Sequence, residues 1–236
     1  MRKITFAQTA LFAALLLLAF MLGVATAWWL LGRVPLGDFR GVVLVFAALV
    51  FCFLYLLALY RMFLRVAPLT EGPIAKGSRE EFVYHVYELF YLAVFYSLTR
   101  NNIVPVPLMR LVYQALGARL GTNSYSAGTL LDPPLTTIGD NCIIGHDAVL
   151  FCHVVEGDNL ELHPIRIGNN VTIGGRAMVM PGVTIGDGAI VAMMSVVMKG
   201  SRIGPGEVWG GNPARRRSIV RPQRTDEQGN ASDTDT

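Results

Sequence analysis

Charge is what this sequence lacks. Only 16% of its 236 residues are charged, against about 25% in an ordinary soluble domain. The deficit is concentrated. No charged residue occurs from Ile4 to Gly32, and none from Gly41 to Tyr60. Cysteine is scarce as well: Cys52, Cys142 and Cys152 are the whole set. An odd number with no CxxC pair and no Cys/His zinc spacing excludes a disulfide framework and leaves reduced thiols as the expectation. The net charge is only +3, and neither a resident metal nor a nucleic-acid partner is expected.

The uncharged run from Gly41 to Tyr60 is 20 residues long. As a helix rising about 1.5 Å per residue it covers about 30 Å, the thickness of a bilayer's hydrocarbon. A charge at the centre of such a helix costs roughly 2.5–3.5 kcal/mol, so its absence predicts two transmembrane helices. The first run begins like a signal peptide, and Ala25–Ala27 resemble a cleavage site. The apolar stretch continues through Trp28–Trp29, however, well past an h-region of about 7–15 residues. The paired tryptophans suit an interfacial belt instead. Basic residues are in excess on the outer flanks: Arg2 and Lys3 before the first run, then Arg61, Arg65, Lys76 and Arg79 after the second. Arg33 and Arg40 in the connection are offset by Asp38. The expectation is a multi-pass protein of the inner membrane, with its N-terminus and everything beyond Tyr60 cytoplasmic.

Residues 66–80 read as a polar connector rich in Pro and Gly. Ser78 then suits a helix N-cap, with Glu80 and Glu81 at the positive end of the dipole. The segment Phe82–Leu98 is apolar nearly all round and heavily aromatic, with His85 and Glu88 as its only ionisable groups. Such a helix is buried or lies in a membrane interface. At 17 residues it is short for a full span, and an interfacial or re-entrant helix is expected. A shorter amphipathic helix follows, between Pro105 and Gly117.

Beyond it the texture changes. An aliphatic residue recurs every six positions, at Ile138, Ile144 and Leu150, then at Ile167, Ile173, Val179, Ile185, Val191, Val197 and Ile203, with Trp209 closing the series. A small or apolar residue stands four places beyond most anchors: Val171, Ala177, Val183, Ala189, Ser195 and Ser201. This periodicity marks stacked short strands whose anchors form a continuous internal ladder. Between Leu150 and Ile167 the rhythm breaks, and about 11 residues are extruded.

These anchors, with "IGNNVTIGGRAMVMPGVTIGDGAIVAMMSVVMKG" and the closing "GGNPARR", resemble the hexapeptide of the left-handed parallel β-helix acyltransferases, over roughly Leu120–Arg217. The resemblance is to the xenobiotic and sugar acetyltransferase branch. "LLDPPLTTIGDNCIIGHDAVL" also looks like the membrane-attached hexapeptide domains at the end of nonribosomal peptide synthetase-like proteins. The resemblance implies an all-β left-handed helix preceded by the two membrane helices and the interfacial ones. It implies a homotrimer with sites between neighbouring prisms, and acyl transfer from acetyl-CoA or another acyl-CoA to a hydroxyl or amine. Four segments are then expected: a transmembrane hairpin (1–65), a helical connector (66–117), the acyltransferase domain (118–217) and a disordered polar tail (218–236).

Acyl transfer needs a base for the acceptor and a site that aligns both substrates. By resemblance the base is a histidine on the extruded loop, and His153 at its root fits best. A plain structural histidine bonded to neighbouring backbone is the alternative. His163, at the loop's exit, is the runner-up for the base, and it and Asp132 are the acceptor-binding candidates. His146 occupies a regular hexapeptide and His85 the aromatic helix. Cys152 adjoins His153, but neighbours on a strand face opposite ways, so a thiol nucleophile is not expected. Glu156 and Asp158 are candidates to orient the imidazole. On the donor side the resemblance carries over to Gly175, Ala192, Met193, Met198 and Lys199, and to Gly211, Asn212 and Pro213. Met193, Met194 and Met198 depart from the small or hydroxyl residues usual there. Arg215 and Arg216, with Arg217, suit the coenzyme's phosphates, or an anionic lipid surface. Two rivals share the fold: a non-catalytic membrane trimer scaffold, and a γ-type carbonic anhydrase with zinc held by histidines.

Overall fold

The computed structural model describes residues 2–35, 37–100 and 104–219. Two long helices, α1 (Phe6–Leu31) and α2 (Arg40–Val66), form an antiparallel hairpin. Each contains an 18-residue stretch with a mean hydropathy of 2.5 (within Phe6–Leu31) or 3.0 (within Gly37–Val66), long and apolar enough to cross a membrane. Leu17, Phe20, Met21, Val45, Phe46 and Leu49 point outward, each more than half exposed. The helices approach closely at Gly23, where a Cβ would stand 2.4 Å from the Cys52 sulfur, the small-residue contact that lets apolar helices pack.

Arg2, just ahead of α1, is bound to the C-terminal part of the molecule. Its guanidinium pairs with Glu81 at 2.9 Å and donates to the carbonyls of Ile74 (2.7 Å) and Asp158 (2.9 Å). The start of α1 and the end of α2 therefore lie on the same side as the domain that follows.

That domain is a three-sided parallel β-helix. One face stacks Arg119–Leu120, Thr136–Ile138, Ile165–Ile167, Thr184–Ile185 and Arg202–Ile203. The second stacks Tyr125–Ser126, Ile143–Ile144, Thr172–Ile173, Ile190–Val191 and Glu207–Gly210. The third stacks Thr129–Leu130, Val149–Leu150, Met178–Val179 and Val196–Val197. All ten regular anchors from Ile138 to Ile203 are at most 4% exposed and line the interior. Their burial, about 1.5–3 kcal/mol for each large aliphatic side chain, is available only once coils stack. The first coil, with Leu120 and Leu130 inward, starts before the periodicity is legible. Its anchors at 120, 126 and 130 are six and then four apart.

The interruption is not a plain loop. His153–Glu156 and Asn159–Leu162 form an antiparallel hairpin, and Gly72–Ile74 of the polar connector adds a third strand along Leu160–Leu162. Gly157 takes φ +64° at the first position of the two-residue turn, where a type II′ hairpin favours glycine. The alternation of Leu160 and Leu162 with Asn159, Glu161 and His163 carried this signal.

Three further helices fill the space between the hairpin of long helices and the prism. Ser78 Oγ accepts from Glu81 N–H (3.1 Å) and caps α3 (Arg79–Phe90), as its position suggests. The aromatic segment is covered by protein. Val83, Tyr84, Val86, Tyr87, Phe90, Tyr91 and Phe95 are all buried, with Phe12 of α1 edge-on to Phe90 at 5.1 Å. A π-helical turn, Tyr91–Phe95, leads into α4 (Tyr96–Arg100), and α5 (Val106–Leu116) ends at Gly117 with φ +116°. At the other end Arg215–Ile219 folds back antiparallel on Glu207–Gly210, so the chain is still ordered at 218–219. The rest of the expected disordered tail, 220–236, lies outside the described residues.

Candidate active site

Asp132 leaves the third face at a corner (φ −123°, ψ 72°) and is followed by Pro133, which disfavours helical backbone at the residue before it. One coil on, Cys152 and His153 occupy the same corner. Asp132 Oδ2 accepts from Cys152 N–H at 2.7 Å and lies 2.7 Å from His153 Nδ1. The Tyr87 hydroxyl reaches Oδ1 at 3.3 Å. The Asp132 side chain is 2% exposed and the His153 side chain 30%. With Nδ1–H donating to the carboxylate, Nε2 carries the lone pair, the arrangement that orients a general base.

His153 borders a cavity of about 210 Å³, whose other walls are Tyr84, Tyr87, Glu88, Tyr91, Leu92, Tyr96, Leu131 and Asp132. The stretch made of α3 and the π-helical turn that continues it supplies five of them. Residues 84, 87, 88 and 91 recur at three- and four-residue spacing and share one helix face. Two of its tyrosines are fastened to the prism: Tyr87 donates to Leu131 O (3.2 Å) and Tyr91 to Leu130 O (2.6 Å). A larger cavity, about 300 Å³, lies by another corner. Its one titratable side chain is the exposed His146, 3.5 Å from Asp147, so the smaller cavity holds the more reactive set.

Burial alone would pull the His153 pKa down. The hydrogen bond to Asp132, that carboxylate's charge and the charge of Glu88 outweigh it, and the pKa ends above the ordinary histidine value. Burial pushes the Glu88 carboxyl up, partly opposed by His153. Burial likewise pushes the Cys152 thiol up to about 12. Its sulfur faces Thr136 Oγ1 at 3.6 Å, inside the prism, so the thiol is neither ionised nor turned to the cavity.

Several expected site residues fall elsewhere. Asp132 is not open to an acceptor; both its oxygens are engaged by His153, Cys152 and Tyr87. It is the carboxylate that meets the His153 imidazole, whereas Glu156 and Asp158, the residues expected there, sit at the hairpin tip, where Asp158 pairs with Lys76 at 3.6 Å. His163 lies outside the cavity, with Nε2 2.8 Å from Glu161, which also holds Lys199 at 2.7 Å. On the donor side the structure brings one group together. Gly175, Ala192, Met193 and Gly211 stack at the corner following the second face, linked by Met194 N–H to Gly175 O (3.0 Å), Ala192 N–H to Trp209 O (2.8 Å) and Val196 N–H to Gly211 O (3.0 Å). The Asn212–Pro213 bond, which is cis, continues that corner. Met193 is 70% exposed. Met198 and Lys199 belong to the next corner, so the two groups flank the third face. Arg215 and Arg216 lie on the final strand, with Arg216 3.2 Å from Glu207. Glu88 and the tyrosines were not foreseen, although Glu88 is conspicuous as one of two ionisable groups in an aromatic segment.

Two family models match inside the prism: bacterial transferase hexapeptide (six repeats) over residues 164–199, and hexapeptide repeat of succinyl-transferase over residues 135–159. These coils match the hexapeptide repeats of bacterial transferases. Galactoside O-acetyltransferase of Escherichia coli (strain K12) is 38% identical over 115 residues, 44% of this chain and 56% of that protein. Mitochondrial gamma carbonic anhydrase 1 of Arabidopsis thaliana is 40% identical over 80 residues, 34% of this chain and 25% of that protein. This chain thus spans between a quarter and about half of those relatives' lengths. Among solved structures, a hexapeptide-repeat acetyltransferase of Vibrio cholerae O1 biovar eltor, complexed with acetyl coenzyme A, aligns with 24% identity and a TM-score of 0.44, over 54% of this chain and 83% of that one.

Proposed function

We propose that this protein is a membrane-anchored, homotrimeric acyltransferase that moves an acyl group, the acetyl group in the first instance, from a coenzyme A thioester to a hydroxyl or amine. His153 is the general base and Asp132 holds it in the reactive tautomer. One observation carries the reading: a buried carboxylate 2.7 Å from Nδ1 of a histidine that borders a cavity. In the reaction, Nε2 takes the acceptor's proton as its oxygen or nitrogen attacks the thioester carbonyl. The carbon–sulfur bond then breaks and the proton passes to the departing thiolate.

The corner of Gly175, Ala192, Met193 and Gly211 and that of Met198 and Lys199 border one face, along which the donor's arm would lie. Arg215 and Arg216 would meet its phosphates. The long apolar helices would anchor the enzyme in the bilayer, with an acceptor that is small, a sugar or lipid-linked. The test is acetyl-CoA-dependent CoA release by the purified protein with a panel of acceptors, compared with His153→Ala; equal rates would remove His153 from the chemistry.

The carbonic anhydrase relative favours a second reading, a zinc enzyme. The donor set does not fit it. Among the described residues no three His, Cys, Asp or Glu side chains are grouped to hold a metal, and His146, His153 and His163 each face a different carboxylate. Elemental analysis of the purified protein separates the two.

A further inference from the structure

The cavity beside His153 contains one carboxyl group with nothing to do in the mechanism above, that of Glu88. Among the described residues no hydrogen bond or ion pair engages the Glu88 carboxylate. The other polar groups around it are largely satisfied from within. Asp132 is bonded by Cys152, His153 and Tyr87, and the Tyr87 and Tyr91 hydroxyls are given to backbone carbonyls. What remains to meet a ligand is Glu88, His153 Nε2, the Tyr84 hydroxyl and the aromatic walls.

The charge balance of this space is one-sided. When His153 is neutral, as a base must be, two carboxylates line the cavity and, among the described residues, no lining side chain is a cation; the Arg100 guanidinium stands behind one wall, 5.6 Å from the Tyr96 ring. A hydroxyl acceptor needs one hydrogen-bond acceptor, which His153 provides, and it leaves Glu88 uncompensated. Holding a carboxylate in a partly desolvated site without a partner is costly. A ligand ammonium removes that cost, and tyrosine rings favour a cation near their faces. Glu88 comes from α3, outside the repeat domain, so this feature is added to the prism by the helices packed on it.

We infer that the acceptor is an amine, bound as its ammonium by Glu88 within the wall of Tyr84, Tyr87 and Tyr91 and delivered to His153 for N-acylation. This inference rests on the acyltransferase reading. The ammonium first gives one proton to Glu88, which passes it to solvent. The free amine attacks the thioester carbonyl as His153 Nε2 takes its second proton, and the thiolate leaves and recovers that proton. The net products are an amide, the thiol and one released proton.

The experiment uses the full chain in lipid nanodiscs with acetyl-CoA and a matched pair of probes, 2-phenylethylamine and 2-phenylethanol. CoA release gives the rates, and calorimetry on the CoA-bound protein gives probe affinity. The expected result is at least a 10-fold preference for the amine in kcat/KM. Glu88→Gln is expected to raise the amine's KM by at least 10-fold while acetyl-CoA still binds, with Glu88→Asp recovering part of the loss. A preference for the alcohol, equal effects of Glu88→Gln on both probes, or no amine binding to the CoA-bound protein would overturn the inference. Failure of the unaltered protein to bind acetyl-CoA would instead overturn the acyltransferase reading.

Discussion

At the scale of single residues, the His153–Asp132 pair makes the sharpest predictions. His153→Ala is expected to lower the acyl-transfer rate about 10²–10⁴-fold, the range for loss of a general base, with the unfolding midpoint checked in parallel. Asp132→Asn keeps the shape but removes the charge that raises the His153 pKa. Because the base works only when neutral, the rate in the unaltered protein should rise with pH through a midpoint above about 6.5, the ordinary histidine value. In Asp132→Asn the midpoint should move to lower pH even as the maximum rate falls; a pH–rate profile of each protein decides this. Arg2 is a residue of another kind. Arg2→Ala leaves Glu81 Oε1 and the Ile74 carbonyl without the guanidinium that donates to them, a loss of about 1–3 kcal/mol, measured as a lower unfolding midpoint in detergent.

Among the elements, the hairpin at the interruption matters because His153 is its first residue. Leu160 and Leu162 are buried, at 2% and 0% exposed, on the strand that pairs with Gly72–Ile74. Leu162→Ala is expected to cost about 2–5 kcal/mol, and activity should fall through stability rather than chemistry: denaturant unfolding shifts, while kcat per folded molecule stays within a few-fold. Helix α3 was legible as a capped aromatic helix but not as the wall of a site. Its three- and four-residue spacing says that Tyr84, Tyr87, Glu88 and Tyr91 share a face; it says nothing of what that face meets. The hairpin was written in the alternation around Gly157, yet the break in a six-residue rhythm reads first as a loop. Its third strand comes from residues about 88 positions earlier (Pro73 opposite Glu161), which no local pattern connects.

For the whole molecule, the three bonds of Arg2 require that the N-terminus and the prism lie on one side of any bilayer that α1 and α2 cross. Single cysteines placed at Lys3 and at Ser201, in a background with the native cysteines replaced, should react with an impermeant maleimide from the same side of sealed vesicles. A cysteine at Asp38, in the short connection between α1 and α2, should react only from the other. Labelling of all three from one side would mean that the helices do not span.

The sequence by itself determined the two apolar helices and the coils from Ile138 onward, because an uncharged run and a six-residue ladder are local patterns that burial enforces on every repeat. It also singled out His153, since an extrusion from a regular prism is visible as a miscount. Only the tertiary structure decided who stands beside that histidine. Asp132, 21 positions away, and Glu88, on a helix outside the repeat, reach it through the stacking of coils and the docking of α3. Those contacts depend on side-chain packing across the fold, and spacing along the chain does not encode them.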